Sequence, residues 1–228
     1  GRLVQDQDGG VHQEYPGDGH PPLLLFAITQ QLQAVTCNWG YCNSVVNDQF
    51  GSVNKGKGAI YIPAEISKMY EGKQLSYVRV GLAAKAKTVK VFVTKDLNGE
   101  YITTRTQRDQ LSGFNEIKFA EPWTIDGEGF YIGYEFESDD YALGASTMYN
   151  ENGCWADLGD GWKNYAVEDH ALALSIQAKI SGDDLPKDYW LFCSNDILAE
   201  AGKPFNINFS IRNMGTAIGR RFQVAYSI

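Results

Sequence analysis

The segment 152–162, which reads NGCWADLGDGW, holds the residue types best suited to binding chemistry. Two indole rings, Trp155 and Trp162, flank two carboxylates, Asp157 and Asp160, among three glycines. An aromatic ring can cover the C–H face of a sugar while a nearby carboxylate accepts its hydroxyl protons. The same pattern is also typical of two tryptophans that cap a hydrophobic core around a glycine turn. The segment therefore predicts either a ligand-binding surface or a core cap.

A second aromatic pair, Trp39 and Tyr41, surrounds Gly40. If this segment is extended, both rings lie on one face, because side chains alternate with a period of two along a strand. The two rings then form a binding surface or pack against neighbouring strands. Packing is the simpler interpretation in a chain with 13 tyrosines, and both residues are retained as candidate ligand-binding positions.

Calcium is the cation to consider at the acidic turns, because hard cations require several oxygen ligands. Asp157 and Asp160 begin one such turn, and Asp139 and Asp140 begin another. Neither turn fits the spacing of an EF-hand loop, so solvated carboxylates are the simpler interpretation. We expect no cofactor and no resident metal, with calcium as the alternative.

The four cysteines are Cys37, Cys42, Cys154 and Cys193, which allow three disulfide pairings. In one continuous strand Cys37 and Cys42 would face opposite sides, so a disulfide between them requires a turn. Their spacing does not supply the paired ligands of a zinc site. Disulfides and buried free thiols both remain open interpretations.

Hydrolytic chemistry has little support in the sequence. His12 and His20 lie in a glycine- and proline-rich leader, and His170 has no Gly-x-Ser-x-Gly motif to accompany it. A pairing of Cys154 with His170 rests only on their presence in the same chain. Residues 51–58, GSVNKGKG, lack the spacing of a phosphate-binding loop and are expected to form a flexible basic loop. The sequence thus predicts a protein that is not an enzyme.

The elements that would position these residues are predicted to be β-strands. Apolar side chains alternate with a period of two in the runs 76–82, 87–94, 115–119, 129–137 and 171–179. In the fourth run, one face carries Phe130, Ile132, Tyr134 and Phe136. Polar turn residues separate the runs, which favours a sandwich over alternating strands and helices.

One short helix is predicted at 63–70, where Pro63 suits the first turn. Ile66, Met69 and Tyr70 have the spacing of an apolar helix face, and Gly72 can end the helix. We expect this helix to cover one open end of the sandwich.

A second block of strands follows a linker-like segment at 181–187. Alternation resumes at 204–212, and 220–228 is expected to be the returning strand. The remaining length is well short of the roughly 100 residues of an immunoglobulin domain. The predicted organisation is an N-terminal extension (1–35), an antiparallel β-sandwich resembling a jelly roll (36–182) and a partial immunoglobulin-like module (183–228).

The composition excludes some partners. The 228 residues include 20 Lys and Arg against 28 Asp and Glu, for a formal charge of −8. An acidic surface repels phosphate, so nucleic acid and anionic membranes are unfavourable partners. The longest apolar run, at 21–29, is too short to cross a bilayer and is expected to be a buried strand.

Several segments, in this order, resemble the adhesin-like sandwich domains of Bacteroidetes surface and outer-membrane proteins. The matching segments are 58–66 (GAIYIPAEI), 70–80 (YEGKQLSYVRV), 89–96 (VKVFVTKD), 114–125 (FNEIKFAEPWTI) and 131–135 (YIGYE). Further along, 209–218 (FSIRNMGTAI) resembles the first half of bacterial cell-adhesion-related immunoglobulin-like modules. The resemblance implies export and display at the cell surface, and it carries no catalytic residues.

Together these observations predict an exported, non-catalytic surface module that acts in adhesion or binds a protein or glycan ligand. A first alternative is a carbohydrate-binding module of an extracellular glycan-processing system. A second is a structural spacer for a C-terminal domain that would follow this chain.

Overall fold

The structure, a computed structural model, describes residues 3–5, 11–13, 35–166, 172–186, 189–193 and 209–213. The chain divides into two units, Gly1–Leu32 and Gln33–Ile228. In the first unit, strand β1 (Leu3–Gln5) pairs antiparallel with β2 (Val11–Gln13). The predicted buried strand at 21–29 lies outside the described residues.

The regular secondary structure described in the second unit is almost entirely β-strand. The first eight are β3 (Val35–Trp39), β4 (Asp48–Gln49), β5 (Lys55–Ile62), β6 (Gln74–Leu82), β7 (Ala86–Thr94), β8 (Thr103–Gln110), β9 (Gly113–Thr124) and β10 (Phe130–Ser138). The remaining strands are β11 (Gly144–Ser146), β12 (Trp155–Asp157), β13 (Trp162–Asn164), β14 (Ala173–Leu174), β15 (Ile176–Gly182), β16 (Tyr189–Cys193) and β17 (Phe209–Asn213).

These strands form an all-β sandwich in which every described strand pair is antiparallel. One sheet has six strands in the order β13-β12-β5-β10-β7-β8, and the other has four in the order β3-β15-β6-β9. A small sheet, β14-β11-β4, lies beside them, and β16 pairs with β17. The predicted fold class is therefore confirmed.

A single hydrophobic core joins the inner faces of the two large sheets. The predicted face of β10 is confirmed, because Phe130, Ile132, Tyr134 and Phe136 are all buried in this core. The opposing sheet contributes residues such as Val78 on β6. Burial of apolar side chains at about 25 cal/mol per Å² is the main force that holds the two layers together.

The predicted helix is present but shorter than its sequence pattern. Helix α1 spans Ala64–Ser67, with Pro63 as the N-cap residue, and a 3-10 turn follows at Lys68–Tyr70. Tyr70 is buried, whereas 40% of Met69 is exposed, so the prediction that Met69 lies on the packed face is wrong. The switch to 3-10 geometry changes the angular spacing and turns Met69 outward.

Two further predictions are wrong. The second half of 51–58 is not a loop, because β5 begins at Lys55 and pairs with β10. The run 171–179 is not one strand either, because it divides at Ser175 between β14 and β15, which belong to different sheets.

The tail is described only in part. Strand β17 pairs with β16, while the predicted returning strand at 220–228 lies outside the described residues. Within the part of the chain that is described, no helix has the length and apolar character needed to span a bilayer.

Candidate functional site

The predicted Trp and Asp segment forms a hairpin at the edge of the six-stranded sheet. Trp155 and Asp157 lie on β12, and Trp162 lies opposite Asp157 on β13. On the other side, Trp155 pairs with Ala59 of β5 and Asp157 pairs with Lys57. Ala156, between Trp155 and Asp157, is buried in the main core. The side chains of Trp155, Asp157 and Trp162 therefore lie on the outer face of the sheet.

The two carboxylates of the segment organise the turn between β12 and β13. The Oδ1 atom of Asp157 accepts hydrogen bonds from the backbone N–H groups of Gly159 at 3.0 Å and Gly161 at 3.1 Å. Asp160 is exposed and accepts a hydrogen bond from Lys163, which lowers the pKa of Asp160. Both glycines have positive φ angles, 113° and 91°, which a residue with a Cβ rarely adopts.

The second acidic turn is likewise engaged within the protein. Asp139 forms an ion pair with Lys87, and Asp140 accepts a hydrogen bond from the backbone N–H of Tyr141 at 2.7 Å. Among the described residues, no three or more His, Cys, Asp or Glu side chains are grouped so as to hold a metal ion.

The other predicted pair, Trp39 and Tyr41, does not belong to the candidate site. Both are in the core, with 0% and 2% of their surface exposed. Their rings meet edge to face with centroids 5.1 Å apart, and the Tyr41 hydroxyl donates a hydrogen bond to the carbonyl oxygen of Tyr61 at 2.8 Å. A ligand in solvent cannot reach them, so the pair packs instead.

Three aromatic side chains form an aromatic ridge on the outer face of the six-stranded sheet: Phe92, Tyr101 and Trp162. Tyr101 stacks on Phe92 with ring centroids 4.4 Å apart and planes within 9°. Trp162 meets Phe92 edge to face at 6.2 Å. Phe92 is buried beneath its two neighbours, while Tyr101 and Trp162 stay half-buried and accessible.

Small residues beneath the ridge make this arrangement fit. Ala59 on β5 and Gly133 on β10 lie side by side, and Gly133 is also opposite Phe92. A Cβ on Gly133 would lie only 2.6 Å from Cζ of Phe92 and 2.3 Å from the carbonyl oxygen of Gly58. The absence of a side chain at 133 therefore lets the Phe92 ring lie down on the sheet.

A charged row runs across the same face of the sheet, two residues along each strand from Ala59, Gly133 and Phe92. It consists of Asp157, Lys57, Glu135 and Lys90 on the successive strands β12, β5, β10 and β7. Lys57 Nζ is 4.0 Å from Asp157 Oδ2, and Lys90 Nζ is 3.6 Å from Glu135 Oε1. Signs alternate across the row, so each charge faces an opposite one on a neighbouring strand.

The ridge and the row are joined by side-chain contacts. The Tyr101 hydroxyl donates a hydrogen bond to Glu135 Oε1 at 2.6 Å. Burial of the phenol, followed by this hydrogen bond, raises the pKa of Tyr101 above its ordinary value. The ammonium groups of Lys57 and Lys90 lie 5.9 Å and 4.7 Å from the ring centroids of Trp162 and Tyr101. These contacts hold the polar groups in place against the rings.

Two adjoining cavities open along the charged row, and together they are called the polar groove here. One, of about 270 Å³, is lined by Lys57 and Asp157 and reaches the β12–β13 turn. The other, of about 240 Å³, is lined by Lys90 and by Thr106 of β8. Both are also lined by Glu135, so the two cavities adjoin at this residue.

Trp155 packs against the same outer-face cluster as the ridge but contacts different rings. Its ring meets Tyr131 edge to face at 5.6 Å, and Tyr131 in turn packs on Tyr61 at 4.8 Å. The indole Nε1 of Trp155 is buried without a hydrogen-bond partner. Of the two predicted tryptophans, only Trp162 therefore borders the charged row.

Sequence reasoning missed Lys57, Lys90, Tyr101 and Glu135. The signal was present in the polar positions of the strand runs, where Lys90 and Glu135 alternate with core residues. Lys57 was hidden because its segment was interpreted as a loop. Turn residues at 97–99 predict the chain reversal between β7 and β8, but no residue spacing reveals that Tyr101 stacks on Phe92.

The remaining candidates are placed only in part. His170 lies outside the described residues, so the structure does not test the pairing with Cys154 that the sequence left without support. Cys154 is a buried thiol, and burial raises its pKa to about 12. Sγ of Cys42 lies 3.5 Å from the carbonyl oxygen of Ile176, and Cys193 is on β16.

No protein-family model matches the chain, and searches of curated proteins and of solved structures also find no match.

Proposed function

We propose that this chain is an exported, non-catalytic glycan-binding module, and that its binding site is formed by the polar groove together with the neighbouring aromatic ridge. The observation that carries the proposal is the position of Trp162 and Tyr101. Both rings are half-buried on an outer sheet face, directly beside a row of hydrogen-bonding side chains.

The chemistry of the groove favours a sugar over an apolar ligand. Lys57 and Lys90 offer ammonium donors, and Glu135 and Asp157 offer carboxylate acceptors. A polyhydroxyl ring needs both donors and acceptors around its edge and an aromatic surface against its C–H face. The polar groove supplies the donors and acceptors, and the neighbouring aromatic ridge supplies the aromatic surface.

The same contacts support a binding role rather than a hydrolytic one. Glu135 accepts a hydrogen bond from Tyr101 and forms an ion pair with Lys90. Asp157 accepts two backbone hydrogen bonds from its own turn. Groups fixed in this way are suited to orienting a ligand. The resemblance to Bacteroidetes surface proteins supports export and display at the cell surface.

A glycan array tests the proposal with matched tryptophan variants. Wild-type protein should bind a defined set of glycans, and Trp162→Ala should lose that binding at least tenfold while remaining folded. Trp123→Ala is the control, because Trp123 is also half-buried but packs on Phe130 and Lys95, away from the groove.

The result that would overturn the proposal is equally clear. Wild-type protein that binds no glycan, or a Trp162→Ala variant that binds as well as wild type, would contradict it. In the first case an adhesion role toward a protein ligand would be the better account of the resemblance.

A further inference from the structure

The two cavities of the polar groove are arranged side by side across the strands. Both are lined by Lys55, Glu135 and Phe136, so these residues mark the boundary where one cavity meets the next. The first extends to Gly159 in the β12–β13 turn, and the second extends to Thr106 on β8.

The length of the groove exceeds a single sugar ring. Five strands in the order β12-β5-β10-β7-β8 contribute residues to it. Neighbouring strands are about 4.8 Å apart, so the groove spans roughly 19 Å across the sheet. Each cavity alone, at about 270 Å³ and 240 Å³, lies below the range of about 300–1,000 Å³ that is usual for a whole small-molecule site.

The charges that line the groove cancel. Three lysines face three carboxylates: Lys55, Lys57 and Lys90 against Glu135, Glu137 and Asp157. They pair across strands, with Lys55 opposite Glu137 and Lys57 opposite Glu135. An anionic sugar would have to compete with these carboxylates, so the balance favours an uncharged chain.

We infer that the polar groove holds two consecutive units of an uncharged oligosaccharide whose chain runs across the strands, with Lys55 and Glu135 between the two subsites. This inference rests on the proposed function and adds to it the length, direction and charge of the ligand. A chain that fills both cavities gains contacts from the second unit without a second loss of translational freedom.

Isothermal titration with neutral cello-, xylo-, manno- and chito-oligosaccharides, each from monosaccharide to hexasaccharide, tests the inference. For the series that binds, affinity should rise at least tenfold from the monosaccharide to the disaccharide or trisaccharide and then level off. The corresponding acidic probe, an oligogalacturonate series, should bind more weakly.

A subsite variant separates the two cavities. Thr106→Arg fills the cavity on the β8 side and should reduce oligosaccharide affinity to that of the monosaccharide. Thr36→Arg is the control, because Thr36 is exposed on β3 of the four-stranded sheet and lines neither cavity.

The outcomes distinguish failure of this inference from failure of the proposed function. Equal affinity for monosaccharide and longer chains, or preference for the acidic series, would overturn the inference and leave glycan binding standing. The absence of binding to every oligosaccharide, acidic and neutral, would contradict both.

Discussion

The ring of Trp162 on β13 touches the ring of Phe92 on β7, with centroids 6.2 Å apart, although β12, β5 and β10 lie between their strands. At about 4.8 Å per strand, the two backbones are separated by roughly 19 Å along the sheet. The rings meet because Ala59 and Gly133 leave the intervening surface free of large side chains. The aromatic ridge therefore depends on two small residues.

The first prediction concerns Gly133. We expect Gly133→Ala to lower the free energy of unfolding by about 3 kcal/mol, because the new Cβ meets the backbone oxygen of Gly58 at 2.3 Å and cannot be accommodated by a side-chain rotation. Urea denaturation measures the change. Gly72→Ala is the control: its φ is +77° but its Cβ meets nothing within 4 Å, so it should cost only about 1 kcal/mol.

A second prediction separates the two roles of Tyr101. Tyr101→Phe keeps the stacking on Phe92 but removes the hydrogen bond to Glu135, and should cost about 1 kcal/mol of stability. Tyr101→Ala also uncovers Phe92 and should cost about 2 kcal/mol. Equal losses in the two variants, measured by urea denaturation, would show that the stacking contributes nothing.

Much of the sandwich could be predicted from local pattern. The alternation at Phe130, Ile132, Tyr134 and Phe136 specifies which face of β10 is buried, because a strand places every second side chain on the same side. The division at Ser175 could not be predicted, because alternation continues through it while the pairing partners change from β11 to β6.

The candidate site was predicted less completely because its members are far apart in sequence. Trp162 and Asp157 were identified as neighbours along the chain, whereas Phe92 and Glu135 join them only through strand order. Trp39 was predicted as a candidate ligand-binding residue but is buried in the core. Composition does not distinguish an exposed aromatic residue from a core one, because burial depends on the opposing sheet.

A third prediction tests the reassignment of Trp39 and Tyr41 to the core. Trp39→Ala should cost about 4 kcal/mol of stability, the range expected when a buried tryptophan is truncated. Tyr41→Phe should cost about 1 kcal/mol, since the hydrogen bond from its hydroxyl to the carbonyl oxygen of Tyr61 is lost. Glycan binding by the folded fraction of either variant should match wild type; weaker binding at unchanged stability would return the pair to the site.

A fourth prediction follows from the raised pKa of Tyr101. In the unfolded chain this phenol ionises near its ordinary pKa of about 10, whereas the folded protein keeps it protonated to higher pH. Its contribution to stability is therefore complete below pH 10 and is lost as pH rises through the folded pKa. The stability difference between wild type and Tyr101→Phe should shrink above pH 10 in denaturation experiments; a difference that grows with pH would contradict this sign.

The last prediction concerns Cys154, which lies on the inner side of the sheet just before β12 and is 0% exposed. Its pKa is raised to about 12 because burial disfavours the thiolate, which is the form that reacts with alkylating reagents. At pH 8 the folded chain should leave Cys154 unmodified by iodoacetamide, as measured by peptide mass spectrometry, while the chain in guanidinium chloride should react fully. The rate in the folded protein should rise only with the population of opened molecules, so Gly133→Ala should accelerate it in proportion to its loss of stability. Rapid labelling of the intact wild type would show instead that Cys154 is accessible and that the β12 side of the sandwich opens without global unfolding.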